Sequence, residues 1–271
     1  MNIIKFEIKK NIKSILIWSI IISFVLLLFM SIFPSMKDSA MQDLVNAKMD
    51  SLPTVMLEMF NIAEMPNFSN IIEYFAYSFQ FILMAIAIYG AILGVGCLSL
   101  EEKEGTIEFL YSKPITRGEI ILKKVISCVI SFYMFVFIIG VVSISTIIIF
   151  SGDKNNILDN IMKVKEMYLG VIIVGSVFMA LGLLSSVLMK KSKSSVQVGL
   201  GIFFGTYILG IISKLKDSLS FLSNLSPYEK FIPSEIARNG IDIKYAIIII
   251  FIIVISLFIT TKLYKKRDFN I

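Results

Sequence analysis

The stretch Tyr74–Leu100 reads YFAYSFQFILMAIAIYGAILGVGCLSL and carries no charged side chain over its 27 residues. An α-helix needs about 20 apolar residues to cross the hydrocarbon core of a bilayer. Lipid offers the backbone no hydrogen-bond partner, so the N–H and C=O groups of a spanning segment must bond within that segment. The alternation of polar and apolar residues that is typical of a barrel strand is absent. The stretch therefore predicts a transmembrane helix.

Five further uncharged stretches are about as long as a membrane span requires. They are Ile15–Phe33, Val125–Gly152, Met167–Met189, Ser194–Ser213 and Tyr245–Thr261. Charged residues make up only 17% of the chain and the mean hydropathy is +0.84, whereas soluble domains have about 25% charged residues. This composition excludes a soluble enzyme, a disordered protein and a nucleic-acid-binding domain. The sequence predicts an all-α integral membrane protein, a single domain over residues 1–271 with a bundle of six transmembrane helices.

The distribution of basic residues predicts the orientation of the bundle. If both termini are cytoplasmic, 16 Lys and Arg residues fall in cytoplasmic segments and 10 in external ones. Cytoplasmic loops carry such an excess of basic residues in known membrane proteins. The loop from Lys214 to Lys244 runs against this trend. The composition, rich in Ile, Lys and Asn, indicates a bacterium with an AT-rich genome, so we expect a multi-pass protein of the bacterial cytoplasmic membrane.

The first 14 residues have an amphipathic pattern. On a helical wheel, Met1, Ile4, Ile8 and Ile12 fall on one side and the basic residues Lys5, Lys9 and Lys13 fall on the other. This pattern predicts a separate interfacial helix over residues 1–14, lying on the inner surface of the membrane before the first span. An ordinary positively charged lead-in to that span is the alternative.

The segment between the second and third spans, residues 101–124, has a distinctive composition. It opens with the acidic run Glu101-Glu102-Lys103-Glu104. Pro114 ends any helix that precedes it. Thr116, followed three residues later by Glu119, is a capping box that predicts the start of a new helix, and Glu119 with Lys123 has the spacing of a favourable i,i+4 ion pair. We expect two short helices that meet at an elbow and present acidic side chains to the cytoplasm.

This segment resembles the cytoplasmic loop of ATP-binding-cassette (ABC) permeases of the type-2 exporter family. The residues that carry the resemblance are Glu101, Glu102, Glu104, Gly105, Thr106, Glu108, Pro114, Thr116 and Arg117. In the family a similar pattern also follows directly after the second span. The run Phe109-Leu110-Tyr111 is bulkier than its counterpart in the family.

The resemblance implies a permease subunit of an ATP-driven exporter. Such a subunit pairs with a second permease subunit, as a homodimer or a heterodimer, and is driven by separate cytoplasmic ABC ATPase subunits. The loop at residues 101–124 would be the element that couples the two, and Lys190 and Lys191 would make a second, smaller contact. The permease itself would bind no cofactor directly, since its partner uses the ATP. Spans without charge favour a hydrophobic or amphipathic cargo, such as an antimicrobial peptide, a drug or a lipid.

The absence of a phosphate-binding motif and of His agrees with a non-catalytic role. The chain lacks the phosphate-binding motif Gly-x4-Gly-Lys-Ser/Thr, so ATP would have to be bound by a partner. It also has no His, the commonest general base and metal ligand, and we predict no catalytic, cofactor-binding or metal-binding residue. A non-transporting membrane scaffold or an immunity protein is the alternative function. An intramembrane protease is a remote one, because the paired Glu101 and Glu102 lack their partner residues.

Two pairs of glycines mark positions where helices can approach closely. Gly90 and Gly94 lie four residues apart in the second span, and Gly201 and Gly205 have the same spacing in the fifth. Such pairs allow close contact between helix backbones in membranes. Each pair could pack within one subunit or form the seam between two permease subunits. The segment Phe221–Asp242 before the last span could form a re-entrant hairpin or an ordinary surface loop.

Overall fold

The computed structural model describes residues 3–53, 56–57, 61, 67–104, 115–151, 156–189, 194–215 and 217–266. Within these ranges the side chains of residues 50, 100–104 and 217 fall outside the description. The α-helices in chain order are α1 (Ile3–Met36), α2 (Ser39–Asp50), α3 (Ile71–Glu104), α4 (Arg117–Phe150), α5 (Ile157–Leu188), α6 (Ser195–Leu215), α7 (Pro233–Asn239) and α8 (Ile243–Lys266). Two short 3-10 helices, Asp217–Leu225 and Glu229–Phe231, lie between α6 and α7.

Six of the described helices are long and apolar enough to cross a membrane, namely α1, α3, α4, α5, α6 and α8. The predicted all-α fold with six transmembrane helices is therefore confirmed. Each predicted span coincides with one of these helices apart from one or two terminal residues: the predicted spans Val125–Gly152, Met167–Met189 and Ser194–Ser213 extend slightly past helices that end at Phe150, end at Leu188 and begin at Ser195. Most of the helices also run beyond the uncharged stretch at one end or both. For example, α5 begins at Ile157, ten residues before the predicted start of the span at Met167.

Contacts between helix ends show how the helices alternate in direction. Glu7 of α1 pairs with Lys124 near the start of α4. Gly96 of α3 lies beside Ser195 at the start of α6, and Gly118 of α4 lies beside Lys265 at the end of α8. The start of α1, the α3–α4 and α5–α6 connections and the end of α8 therefore share one end of the bundle. We call it the N-terminal end, and the other the opposite end.

The predicted separate interfacial helix over residues 1–14 is not confirmed, because α1 is one helix of 34 residues that begins at Ile3. Ile3, Glu7 and Ile15 are buried along one side of it. Much of that side packs against α4. The polar residue Glu7 lies on the buried side because it meets a cation there, a pairing that the helical wheel of an isolated segment cannot show.

Helices α3 and α5 form the centre of the bundle. In the most apolar 18-residue stretch of each helix, 61% of the residues of α3 and 67% of those of α5 are buried. The corresponding share is 17% for both α6 and α8. Helices α3 and α5 also share the most extensive contact of any pair of described elements. The remaining spans pack around them, with α1 and α4 in mutual contact, α6 against α3, and α8 against α5 and α4.

Glycines bring the backbones of α3 and α5 together. A Cβ atom added at Gly90 would lie 2.8 Å from the carbonyl oxygen of Gly175, and one at Gly94 would lie 2.9 Å from the backbone nitrogen of Leu183. Backbone atoms cannot move aside as a flexible side chain can, so neither position has room for a side chain. In contrast, a Cβ atom at Gly201 or Gly205 of α6 would meet nothing within 4 Å.

The segment between α6 and α8 folds back into the bundle at the opposite end. Tyr228, Phe231, Ile232 and Ile236 are buried, and the segment packs against α3, α5 and α6. The Tyr228 hydroxyl donates a hydrogen bond to the carbonyl oxygen of Gln80 at 3.4 Å. Gln80 lies nine residues into α3, roughly 13 Å along the helix at 1.5 Å per residue. The segment thus re-enters between the helices and is not an ordinary surface loop.

The difference between the two glycine pairs generates a prediction about stability. We expect Gly94→Ala to lower the free energy of unfolding by about 1–3 kcal/mol, because the added methyl group overpacks the contact between α3 and α5. Gly201→Ala is the matched control and should leave the stability of the single chain unchanged. Denaturant unfolding of the purified protein in detergent measures both, and equal unfolding midpoints would contradict this account of the central contact.

Candidate coupling site

The predicted coupling segment lies at the N-terminal end, where α3 ends and α4 begins. Glu101, Glu102 and Glu104 form the last turn of α3, which extends beyond the apolar part of the helix. The other predicted residues of the loop up to Pro114 lie outside the described residues: Gly105, Thr106, Glu108 and Pro114. The same holds for the basic residues of the second predicted contact, Lys190 and Lys191.

The α3–α4 connection ends at the N-terminal cap of α4. Thr116 has an extended backbone, with φ −73° and ψ 150°, and its hydroxyl oxygen accepts a hydrogen bond from the backbone N–H of Glu119. The helix starts at Arg117, so the predicted start after Thr116 is confirmed. The predicted pair of Glu119 and Lys123 also forms, with 3.9 Å between Nζ and Oε2. Both side chains are exposed, so this pair contributes about 0.3–0.5 kcal/mol.

A buried lysine joins three helices close to this connection. The side chain of Lys124 on α4 is only 1% exposed, and its Nζ lies 3.3 Å from Oε1 of Glu7 on α1. The same Nζ donates a hydrogen bond to the carbonyl oxygen of Cys97 on α3 at 2.9 Å. In return, the thiol of Cys97 donates to the carbonyl oxygen of Lys124. The ends of α1, α3 and α4 are therefore tied together at one point.

The stability of this cluster, Glu7, Cys97 and Lys124, depends on the close pairing of its two charges. Removing an ammonium group and a carboxylate from water costs several kcal/mol per ion, and close pairing with further hydrogen bonds must offset that cost. The arrangement therefore forms only when all three helices are in place. A second polar contact lies further along the same interface, where the side-chain amide of Asn11 donates to the hydroxyl of Ser131 at 3.2 Å.

The sequence patterns assigned no role to Glu7 or Lys124, so this cluster was not predicted. A signal was nevertheless present. Glu7 is the only acidic residue before Asp38, and Lys124 directly precedes an uncharged stretch that begins at Val125. A lone acid and a lysine at the edges of two spans are suitable partners, although the sequence does not show which of several lysines would be the partner.

A second ion pair lies at the opposite end. Lys214, at the end of α6, pairs with Glu229 of the re-entrant segment, whose side chain is 8% exposed. Lys214 also donates a hydrogen bond to the side-chain oxygen of Asn61, and the side-chain nitrogen of Asn61 lies 3.4 Å from Gln80 Oε1.

The structure therefore separates the residues that the sequence grouped as sites. Thr116 and Arg117 lie at the start of α4, at the same end of the bundle as the last turn of α3. Gly90 and Gly94 lie deep in the bundle, while Gly201 and Gly205 are on an open face of α6. Among the described residues, no group of three His, Cys, Asp or Glu side chains is placed to hold a metal ion.

A family model described as ABC-2 family transporter protein matches residues 1–269. No curated protein and no solved structure matches the chain.

The buried cluster generates a prediction with a control on the adjacent residue. We expect Lys124→Met to lower the free energy of unfolding by about 3–5 kcal/mol, because it removes the cation opposite a buried carboxylate. Lys123→Met breaks only the exposed pair and should cost less than about 1 kcal/mol. Denaturant unfolding in detergent measures both variants.

A further variant separates charge from packing. The double variant Glu7→Gln with Lys124→Met removes both charges and should recover part of the stability that Lys124→Met loses. If Lys123→Met and Lys124→Met destabilised the protein equally, Lys124 would not fasten the helices as described.

Proposed function

The chain belongs to the ABC-2 family of transporter proteins, and we propose that it is the membrane-spanning permease subunit of an ATP-driven ABC exporter. The observation that carries this proposal is the family match over nearly the whole chain, which coincides with a bundle of six apolar helices. The absence of a phosphate-binding motif from the sequence supports a motor supplied by a separate subunit.

We place the contact with cytoplasmic ABC ATPase subunits at the N-terminal end of the bundle. This end carries the acidic last turn of α3, the capped start of α4 and the α5–α6 connection. It also has the larger share of basic residues, which supports a cytoplasmic orientation with both termini inside. An acidic surface complements a basic partner and steers the association of the two.

The cluster of Glu7, Cys97 and Lys124 supports a mechanical role for this end. A force applied to the α3–α4 connection acts on two helices that are fastened to each other and to α1 within about two turns of the start of α4. The three helices would then move together as one packed unit. Because α3 is also in close backbone contact with α5, such a movement would reach the centre of the bundle.

The second permease subunit, in a homodimer or a heterodimer, would pack against α6. Gly201 and Gly205 leave an open strip on this helix, flanked by the exposed side chains of Phe204 and Ile208. In a membrane, helices associate through close packing of small residues, since lipid provides no hydrophobic driving force. The strip thus has the character of a helix–helix contact that the single chain leaves unused.

The cargo would be hydrophobic or amphipathic. Within the described part of the chain, the charged residues that are buried as a whole are Glu7 and Lys124, and they pair with each other at one end of the bundle. The buried side chains between the two ends are apolar or uncharged polar ones. Such an interior suits an antimicrobial peptide, a drug or a lipid better than a hydrophilic ion.

Charge reversal in the loop tests the contact with the ATPase. We expect Glu104→Lys and Glu108→Lys each to weaken ATPase binding by on the order of 1–3 kcal/mol, because each would place a cation against a basic partner surface. Membrane insertion should be unchanged, as neither residue lies in an apolar span.

Pro114→Ala should impair transport more than assembly, since it relaxes the elbow. Co-purification with the ATPase and transport by whole cells are the two measurements.

The control for these variants is Lys37→Glu, a charge reversal of an exposed residue at the opposite end. It should alter neither binding nor transport. Normal ATPase binding and normal transport in both glutamate variants would refute the docking role of the loop and favour a non-transporting scaffold.

A further inference from the structure

A cleft of about 190 Å³ lies between α4 and α5. Helix α4 contributes Phe137, Val141 and Ile144 to its lining, and α5 contributes Lys165 and Tyr168. The lining is almost wholly apolar. Phe137 is 69% exposed and Val141 is 49% exposed, so the cleft opens on the outer surface of the bundle, which faces lipid in a membrane.

The walls of the cleft are set by a glycine and a tyrosine. The hydroxyl end of the Tyr168 ring lies against α4 at Gly140, where an added Cβ atom would come within 2.6 Å of the ring. The Tyr168 hydroxyl donates a hydrogen bond to the carbonyl oxygen of Val136, which holds the ring in this position. The groove beside the ring is therefore built into the contact between the two helices.

Lys165 is the basic residue among those that line this apolar groove. The side-chain amide of Asn160 donates a hydrogen bond to the hydroxyl oxygen of Ser151 at 3.0 Å. This contact lies at the opposite end of the bundle, where α4 ends and α5 begins. Lys165 lies five residues further along α5, roughly 7.5 Å deeper at 1.5 Å per residue. The apolar wall continues inward from Ile144 to Phe137, roughly a further 10 Å along α4. The cleft is thus apolar along its lining, and the exposed residue Lys165 lies towards its outer end.

Lys165 is available for a ligand. It forms no ion pair with any described residue, and no acidic side chain lines the cleft. Its neighbour Glu166 lies outside the lining. The cleft is smaller than the roughly 300–1,000 Å³ of a site for a drug-sized molecule, and a small apolar groove of this kind suits part of a single hydrocarbon chain.

We propose that this cleft is a binding site for an anionic phospholipid. One acyl chain lies along Phe137, Val141 and Ile144, and the phosphate of the headgroup lies against the ammonium group of Lys165. A zwitterionic lipid would carry a compensating cation beside the phosphate and would gain less from Lys165. The proposal requires only that the bundle spans a membrane, so it holds whether or not the chain takes part in ATP-driven transport.

The test uses a single tryptophan as a reporter of lipid contact. Trp18 is the only tryptophan in the chain, so Trp18→Phe combined with Phe137→Trp gives a full-length protein whose fluorescence comes from the cleft. The protein is reconstituted into phosphatidylcholine vesicles that contain brominated phosphatidylglycerol or, separately, brominated phosphatidylcholine. Bromine quenches tryptophan on contact, and the quenching curves give the relative affinity of the site for the two lipids.

We expect phosphatidylglycerol to be preferred about fivefold at the cleft, the factor that corresponds to about 1 kcal/mol per basic residue near an anionic group. Lys165→Gln should reduce the preference to about onefold, and Lys165→Arg should retain it. Lys163→Gln, a charge removal on the same helix outside this lining, is the matched control and should have little effect.

A second reporter position measures contact with lipid in general. Phe251 on α8 is 65% exposed, close to the value for Phe137, and Phe251→Trp in the Trp18→Phe background should show no preference between the two lipids. Equal preference at both reporter positions, or a preference at the cleft that survives Lys165→Gln, would overturn the proposal. Equal losses in Lys163→Gln and Lys165→Gln would also overturn it, because they would indicate a diffuse field instead of a site.

Discussion

The backbone contact between α3 and α5 is the constraint on which the rest of the bundle depends. In lipid, helices gain no hydrophobic free energy by associating, so close packing of small residues must hold them together. Gly90 and Gly94 allow α3 to lie directly against the backbone of α5, and the reciprocal position Gly182 on α5 lies against Ala91. The other spans then pack on this pair, which explains why α3 and α5 are far more buried than α6 and α8.

Buried or nearly buried ion pairs complete the two ends of the bundle in different ways. At the N-terminal end, Lys124 joins α1, α3 and α4. It lies close to the α3–α4 connection, which runs from the acidic last turn of α3 to the capped start of α4. At the opposite end, Lys214 and Glu229 attach the re-entrant segment to α6. Under the proposed function, the first end would offer the surface on which a partner acts, whereas the other has a segment inserted between helices. This asymmetry would suit a protein that receives a force from one side of the membrane.

Much of the fold could be predicted from the sequence, because the bilayer leaves few choices for an uncharged stretch such as Tyr74–Leu100. The start of α4 was also predictable, since Thr116 and Glu119 act within one turn. The pairing of Glu7 with Lys124 was not, because it joins residues that are distant along the chain. The glycine pairs have the same spacing and could be told apart only in three dimensions. Helix α2 was missed although Asp38 caps it, because its mean hydropathy gives no membrane signal.

The central claim is that this chain is a permease driven by ATP hydrolysis in a separate subunit. The most direct measurement is the ATPase activity of the highly purified chain, alone and after co-purification with its ABC ATPase, reconstituted in vesicles with amphipathic peptides as candidate cargo. The account predicts no hydrolysis by the chain alone, and hydrolysis that the cargo stimulates when the partner is present. Robust hydrolysis by the isolated chain would contradict it.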